Sequence, residues 1–297
     1  MINLKKFNNL LELFFNQCEI QNDNDIFLTS LNDSKKEFSW KFTKISVVKL
    51  SEEFKKYIQK GDRCLLISEN RPEWLITDLA IMLANGITVP AYTTYVERDY
   101  EYIINDCKPS IIIVSNYDQY KKIENIIKNK PFIKKIFSFE LIDKLQKEKY
   151  FDINSYLQKN QNVNFNIPDL ELSRKDPACI IYTSGTQGNP KGVILSHGGI
   201  LNNCEGGCEL IKPFISKQSR FLTWLPLSHS YEHTVQFIQI IVGAKVFYAE
   251  SLEKLISNMD YAKPTIMTAV PRFYQNLYTK INLNFEKQSG IKKALIF

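Results

Sequence analysis

The sequence predicts an α/β protein, built as layered, mostly parallel sheets flanked by helices, and two patterns carry that prediction. From Gly61 onward, short runs with continuously apolar interiors, such as Arg63–Ser68 and Ile111–Ser115, alternate with longer runs whose apolar residues recur at helical spacing. Strands that lack polar alternation are covered on both faces, as parallel strands are by their crossover helices. The punctuation agrees: Pro72 suits the first turn of a helix over Arg71–Asn85, and Gly86 suits its end.

The opening region, 1–60, reads as β-flavoured. It has an amphipathic start (Leu10, Leu11, Leu13, Phe14, Phe15), a polar stretch near Gln21 to Asp25, and a segment, Phe38–Phe42, that alternates as a strand does. A first α/β subdomain, 61–158, follows. Its expected strands are Arg63–Ser68, Ile87–Ala91 and Ile111–Ser115. Its helices are Arg71–Asn85 (apolar at Leu75, Ile76, Leu79, Ala80 and Leu83), Glu97–Asp106 (Tyr100, Ile103, Ile104) and Tyr117–Lys128. The boundary is soft, between Asp152 and Asp176, around a polar connector at Asn160–Asn166. The second α/β subdomain, 159–297, has expected strands at Cys179–Thr183, Phe221–Trp224, Lys245–Tyr248 and Thr265–Ala269. Its helices are Gly199–Ile211, with Ser196 as N-cap, and segments near Tyr231–Ile241, Leu252–Asn258 and Arg272 onward. No solenoid-length repeat is visible.

The 297 residues carry 38 basic and 32 acidic side chains, a formal charge of +6. The resulting pI of 8.8 lies below the level of about 9 that marks a nucleic-acid-binding domain. The lysines are densest from Lys121 to Lys149, interleaved with apolar residues as on the solvated faces of alternating helix and strand. Their other use, contact with an anionic membrane surface, is worth about 1 kcal/mol per lysine. No run of 18 apolar residues occurs, and the start, Met1–Phe7, lacks a signal-peptide cleavage site. The six scattered cysteines form no disulfide framework. A cytoplasmic protein with at most peripheral contact at the inner face of a membrane is expected.

The run from Tyr182 to Gly192 holds Thr183, Ser184, Gly185, Thr186, Gly188 and Lys191 directly after an apolar strand. A strand–loop–helix of this composition gathers backbone N–H groups, hydroxyl donors and one cation around a polyphosphate. Gly185, Gly188 and Gly192 could take positive φ and let the backbone approach a ligand. It is not the Walker A pattern, because Lys191 stands between Pro190 and Gly192. The plainer reading is a polar surface turn.

The same run resembles the phosphate-loop signature of the AMP-forming acyl-CoA synthetases, the adenylating family. Glu69–Trp74, Val89–Ala91, Trp224–His233 and Ala269–Phe273 resemble further family segments, in the family's order. The pairing of Leu225–His233 with Val270–Tyr274 is most similar to the long-chain fatty acid–CoA ligases. Gln187 departs from the family's commonest residue, threonine. The resemblance implies that ATP and a fatty acid give acyl-AMP and pyrophosphate, and that coenzyme A then takes the acyl group, with Mg²⁺ on the phosphates. It assigns phosphate binding to Thr183, Ser184, Gly185, Thr186, Gly188 and Lys191, catalytic roles to Lys191 and His229, and the substrate pocket to Tyr231 and Arg272, with Phe237 and Val270–Phe273 as further lining. Glu232 and His233 receive no catalytic role. The family's later motifs are missing and the last residues, Lys293–Phe297, are apolar, so an amino-terminal fragment inactive alone is expected, with a separately encoded C-terminal part as its candidate partner. The alternatives are an inactive phosphate- or partner-binding fragment and a ligase for another carboxylic acid.

Cys204 and Cys208 fall four residues apart on the expected helix, with His197 near the same face. His197 and Cys208 would be separated by ~16 Å of helix rise, too far for one zinc ion. No metal site is expected.

Overall fold

The computed structural model describes residues 3–32, 35–142, 150–159, 170–183, 190–216 and 218–286. They form two units, Met1–Ile266 and Met267–Phe297.

In the first unit, α1 (Leu10–Ile20) begins where the Asn9 side chain accepts the Glu12 N–H at 2.9 Å, and it buries the apolar stripe of the sequence start. Two strands follow, β1 (Ile26–Ser30) and β2 (Glu37–Ser39). The strand expected over Phe38–Phe42 stops at Ser39. Its hydroxyl accepts the Phe42 N–H at 3.1 Å and caps α2 (Trp40–Phe54). The helical signal needs a longer window: Trp40, Thr43, Val47, Leu50 and Phe54 repeat at intervals of three and four and are all buried.

The alternating series then runs β3 (Arg63–Ile67), α3 (Pro72–Leu83), β4 (Ile87–Ala91), α4 (Glu97–Cys107), β5 (Ile111–Val114), α5 (Tyr117–Lys121), α6 (Glu124–Ile127), β6 (Lys135–Ser138), β7 (Tyr150–Asp152) and α7 (Ile153–Gln158). The single helix expected over Tyr117–Lys128 is two short ones, broken around Ile123, which is fully buried. The chain continues through β8 (Pro177–Thr183), β9 (Lys191–Ser196), α8 (His197–Ile211), β10 (Arg220–Thr223), α9 (Ser230–Ile241), β11 (Lys245–Tyr248) and α10 (Leu255–Ala262). Ser196 caps α8 as expected, its hydroxyl accepting the Gly199 N–H at 3.1 Å. The helix expected at Leu252–Asn258 starts three residues later, and the strand expected at Thr265–Ala269 is reduced to one bridge between Ile266 and Phe221. The described part of the second unit carries α11 (Pro271–Glu286).

A seven-stranded sheet has the order β7-β6-β5-β3-β4-β8-β9 and is parallel except for the β8–β9 pair. A four-stranded sheet has the order β10-β11-β1-β2, antiparallel only between β1 and β2. The larger sheet draws strands from both sides of residue 158, and the smaller joins strands from the two ends of the unit. Both faces of the larger sheet are buried. Cys64, Leu66, Ile111 and Ile113 face one core cluster, and Leu65, Ile67, Ile112 and Val114 face the other. Helix α3 is buried along its whole length, as a helix apolar on all sides must be. All six cysteines are buried and free.

One buried polar contact fastens α9 to α3. His233 Nε2 lies 2.9 Å from Asp78 Oδ2, with both side chains out of solvent. The ring meets Trp74 edge-on at 5.2 Å and stacks on Phe237 at 5.8 Å. Burial alone would lower the imidazole's pKa, but the charge of Asp78 and the neighbouring Cys179 outweigh it and raise it to about 10. The protonated ring therefore donates Nε2–H to the carboxylate, and Cys179 extends the contact to β8. Breaking one partner of such a pair costs about 3–5 kcal/mol.

Asp78→Asn should lose about that much stability in urea unfolding at pH 7. Folding raises the His233 pKa from its ordinary value of 6.5 to about 10, so the stabilisation is complete below the lower value and fades as the pH climbs through the higher. Wild-type stability should fall across that window, and the variant should show a shallower decline; equal slopes would contradict a charged His233.

Candidate functional site

Parallel strands deliver their following loops to one end of a sheet, and ligands of open α/β sheets settle there. In the first unit such loops enclose a cleft of about 230 Å³. Ser68, Glu69 and Asn70 follow β3, and Tyr92, Thr93 and Thr94 follow β4. Trp224, Pro226 and Ser228 follow β10, and Ala249 to Leu252 follow β11. The first two groups belong to the larger sheet and the last two to the smaller.

Asn70 joins the two sheets at this cleft. Its amide Nδ2 donates to the Leu225 carbonyl at 2.6 Å, and its Oδ1 accepts the Leu227 N–H at 3.1 Å. One planar side chain thus satisfies a donor and an acceptor of a loop that otherwise leaves them without partners. Beside it, Arg71 pairs with Glu73 at 3.1 Å and with Glu140 at 3.0 Å.

The clamped loop runs into α9 through His229. This side chain is exposed, and its Nδ1 accepts the Tyr231 N–H at 3.2 Å, so the ring caps the helix. In the neutral ring the remaining proton then sits on Nε2. Tyr231 is half exposed in the first turn of α9, while Phe237, expected as acyl-pocket lining, is fully buried in the core.

Thr183 and Lys191 face each other as the last pair of the β8–β9 hairpin. The sequence reading named no strand between the phosphate loop and the helix expected over Gly199–Ile211; β9 returns there, and α8 follows it from His197. Both side chains are exposed. Thr88 pairs with Cys179 in parallel register, so β8 runs beside β4 in the direction of the Tyr92–Thr94 loop that lines the cleft. Gly192 does not take positive φ. A Cβ there would stand 2.9 Å from Ile180 Cγ2 and 3.3 Å from Tyr182 Cζ, so its missing side chain makes room for the neighbouring strand and not for a ligand. The Tyr182 hydroxyl donates to Asp106 of α4, anchoring this end of β8.

Of the remaining expected site residues, Ser184, Gly185, Thr186 and Gly188 lie outside the described residues, as does Gln187. Arg272 is the second residue of α11, in the second unit, and is exposed. His197 is core: its Nδ1 faces the Leu10 N–H at 3.4 Å, and burial pushes its pKa down to about 4. Burial likewise raises the Cys208 thiol to about 11, and Cys204 donates weakly to the Thr234 carbonyl at 3.6 Å. Sequence reasoning did not single out Asn70, Tyr92 or Glu250 as site residues. The available signal was their position, polar or amphipathic residues immediately beyond an apolar strand.

The signature described as AMP-binding enzyme matches residues 14–296. The chain belongs to the AMP-binding enzyme family.

Relatives include fatty acyl-CoA synthetase A of Dictyostelium discoideum, 28% identical over 253 residues, which are 80% of this chain and 36% of the relative. A long-chain-fatty-acid–CoA ligase of Mus musculus is 31% identical over 238 residues, 77% of this chain and 36% of the relative. The match thus spans about a third of the length of these relatives. Among solved structures, an anthranilate CoA ligase in complex with anthranoyl-AMP superposes with a TM-score of 0.76 at 19% identity, covering 90% of this chain and 51% of that one. ATP-bound MatB from Rhodopseudomonas palustris superposes with a TM-score of 0.71 at 20% identity, covering 91% and 51%. At these identities the superpositions establish the layered α/β fold of this chain.

The Glu69–Trp74 and Trp224–His233 segments, far apart in sequence, meet through Asn70. Asn70→Ala should cost about 1–3 kcal/mol, the range for leaving buried partners unsatisfied. It should also speed amide exchange at Leu227 more than at neighbouring core amides. Unchanged Leu227 protection would show that the clamp does not hold the loop.

Proposed function

We propose that the chain carries the pyrophosphate side of an acyl-adenylating site, in an enzyme that joins long-chain fatty acids to coenzyme A at the expense of ATP. The observation that supports this most is the hairpin end: Thr183 and Lys191 are the last pair of β8–β9, at the carboxyl end of the strand next to β4, whose following residues Tyr92 to Thr94 line the cleft. The long-chain relatives favour the acyl specificity.

The fatty acid needs no general base, because a carboxyl group with a pKa of ~4.5 is ionised at pH 7. Its oxygen attacks the α-phosphorus, the bond to the bridging oxygen breaks, and the electron pair leaves on pyrophosphate. The thiol sulfur of coenzyme A then attacks the acyl carbon, and AMP departs. This chain's part in the first step is to hold two anions together and to absorb charge on the leaving group. Lys191 supplies a positive charge at the β- and γ-phosphates. Thr183, with Ser184, Gly185, Thr186 and Gly188, supplies hydroxyl and backbone donors. His229 uses its Nε2–H to orient the carboxylate, and Tyr231 belongs to the acyl pocket. Among the described residues no group of three or more His, Cys, Asp or Glu side chains could hold a metal ion. Mg²⁺, when bound with ATP, would neutralise charge on the phosphates.

Among the described residues no helix is long and apolar enough to cross a membrane, in keeping with a proposed cytoplasmic placement with at most peripheral contact at the inner face. The remaining length of the relatives would supply the rest of the site, from the same or a separate chain.

ATP–pyrophosphate exchange tests the reading. The 297-residue chain alone should give little or no fatty-acid-dependent exchange. Assembled with the remaining length of a family enzyme, it should be active, and Lys191→Ala should lower the rate about 10²–10³-fold. Palmitate should outpace octanoate and benzoate; equal rates would contradict the long-chain assignment and favour a ligase for another carboxylic acid.

A further inference from the structure

At the other end of the four-stranded sheet, where its parallel strands begin, lies a second depression of about 460 Å³. Arg220 and Lys245 are the first residues of β10 and β11 and are direct partners in the parallel register. Their side chains therefore leave the same face on strands about 4.8 Å apart. Like charges placed opposite each other destabilise a sheet. Neither makes an ion pair among the described residues, and Asp25, the acidic side chain in the lining, sits at the exposed rim.

The Arg220 guanidinium is held and yet unsatisfied. It lies over the Phe247 ring at 4.8 Å, and its backbone N–H is taken by Thr265 Oγ1 at 3.0 Å. Its Nε is buried with no hydrogen-bond partner. A buried charged donor without an acceptor is costly, and a guanidinium presents its N–H groups as a fork that fits an oxyanion. Gln21 adds an amide at the rim. It lies so close to Gly243 that a Cβ there would fall 2.3 Å from Gln21 Nε2, and Gly243 also has a φ of +62°. Trp40, stacked on Phe27 with centroids 3.7 Å apart, supplies an apolar wall.

We infer that this depression binds a dianionic phosphate group, free or as a small monoester, between Arg220 and Lys245. Two adjacent cations match two negative charges better than the single charge of a carboxylate. The site lies at the opposite strand ends from the cleft and does not depend on the function proposed for it.

The test is calorimetric titration of the 297-residue chain carrying Lys191→Ala, which silences the proposed phosphate turn, with inorganic phosphate, glycerol phosphate and acetate at fixed ionic strength. Saturable phosphate binding is expected, with acetate at least about tenfold weaker. Arg220→Gln and Lys245→Gln should each weaken phosphate binding about tenfold or more, the effect of losing a charge-assisted hydrogen bond. Tighter binding of glycerol phosphate would identify a monoester ligand, and tighter binding of inorganic phosphate the free ion. Absence of saturable binding, unchanged affinity in the variants, or acetate binding as tightly as phosphate would overturn the inference. Lys245 is exposed, so its variant carries the test if Arg220→Gln fails to fold.

Discussion

The two hydrogen bonds of the Asn70 amide hold together the end of the molecule where the candidate site forms. The two sheets share one buried core cluster, yet nothing in either ladder dictates how the loop after β10 should lie against the loop after β3. A short, rigid amide that donates to Leu225 and accepts from Leu227 settles that question. Once the loop is fixed, Pro226 and Ser228 line the cleft and His229 is delivered to the start of α9 as its cap. Proline at 226 fits this arrangement, since a residue with no N–H leaves no donor for the clamp to satisfy.

Behind the cleft, two buried histidines meet opposite fates for a reason visible in their surroundings. His197 faces a backbone N–H and is held neutral by burial, which lowers its pKa to about 4. Burial acts in the same direction on His233, but Asp78 at 2.9 Å reverses the outcome. The charged pair binds α9 to α3 and, through Cys179, lies against the strand that leads to Thr183. Helix α9, which begins after His229, and strand β8, which ends at Thr183, therefore rest on the same buried pair.

Much of the fold was legible because burial on both sheet faces leaves a plain mark: Leu65 to Ile67 and Ile111 to Val114 are apolar without interruption. What escaped was written at the wrong length or in the wrong place. Over Phe38–Phe42 a strand and a capped helix start look alike, and only the longer spacing from Trp40 to Phe54 separates them. The β9 strand was hidden because its residues are exposed or half-buried, so no period of burial betrays it. Lys191 and Thr183 were candidate phosphate ligands from the loop's composition alone, and only the fold made them hairpin partners. Asn70 could not be given its role, because its two partners lie more than 150 residues away and only folding brings them near. The His233–Asp78 pair was illegible for the same reason.

The central claim is that the β8–β9 turn and the cleft beside Tyr92 form one nucleotide site. Crystallising the chain with ATP and magnesium tests it most directly. The account predicts the triphosphate within hydrogen-bond reach of Lys191 Nζ and Thr183 Oγ1, with the nucleotide continuing toward the cleft. A triphosphate bound away from Lys191, with the hairpin end bare, would contradict it.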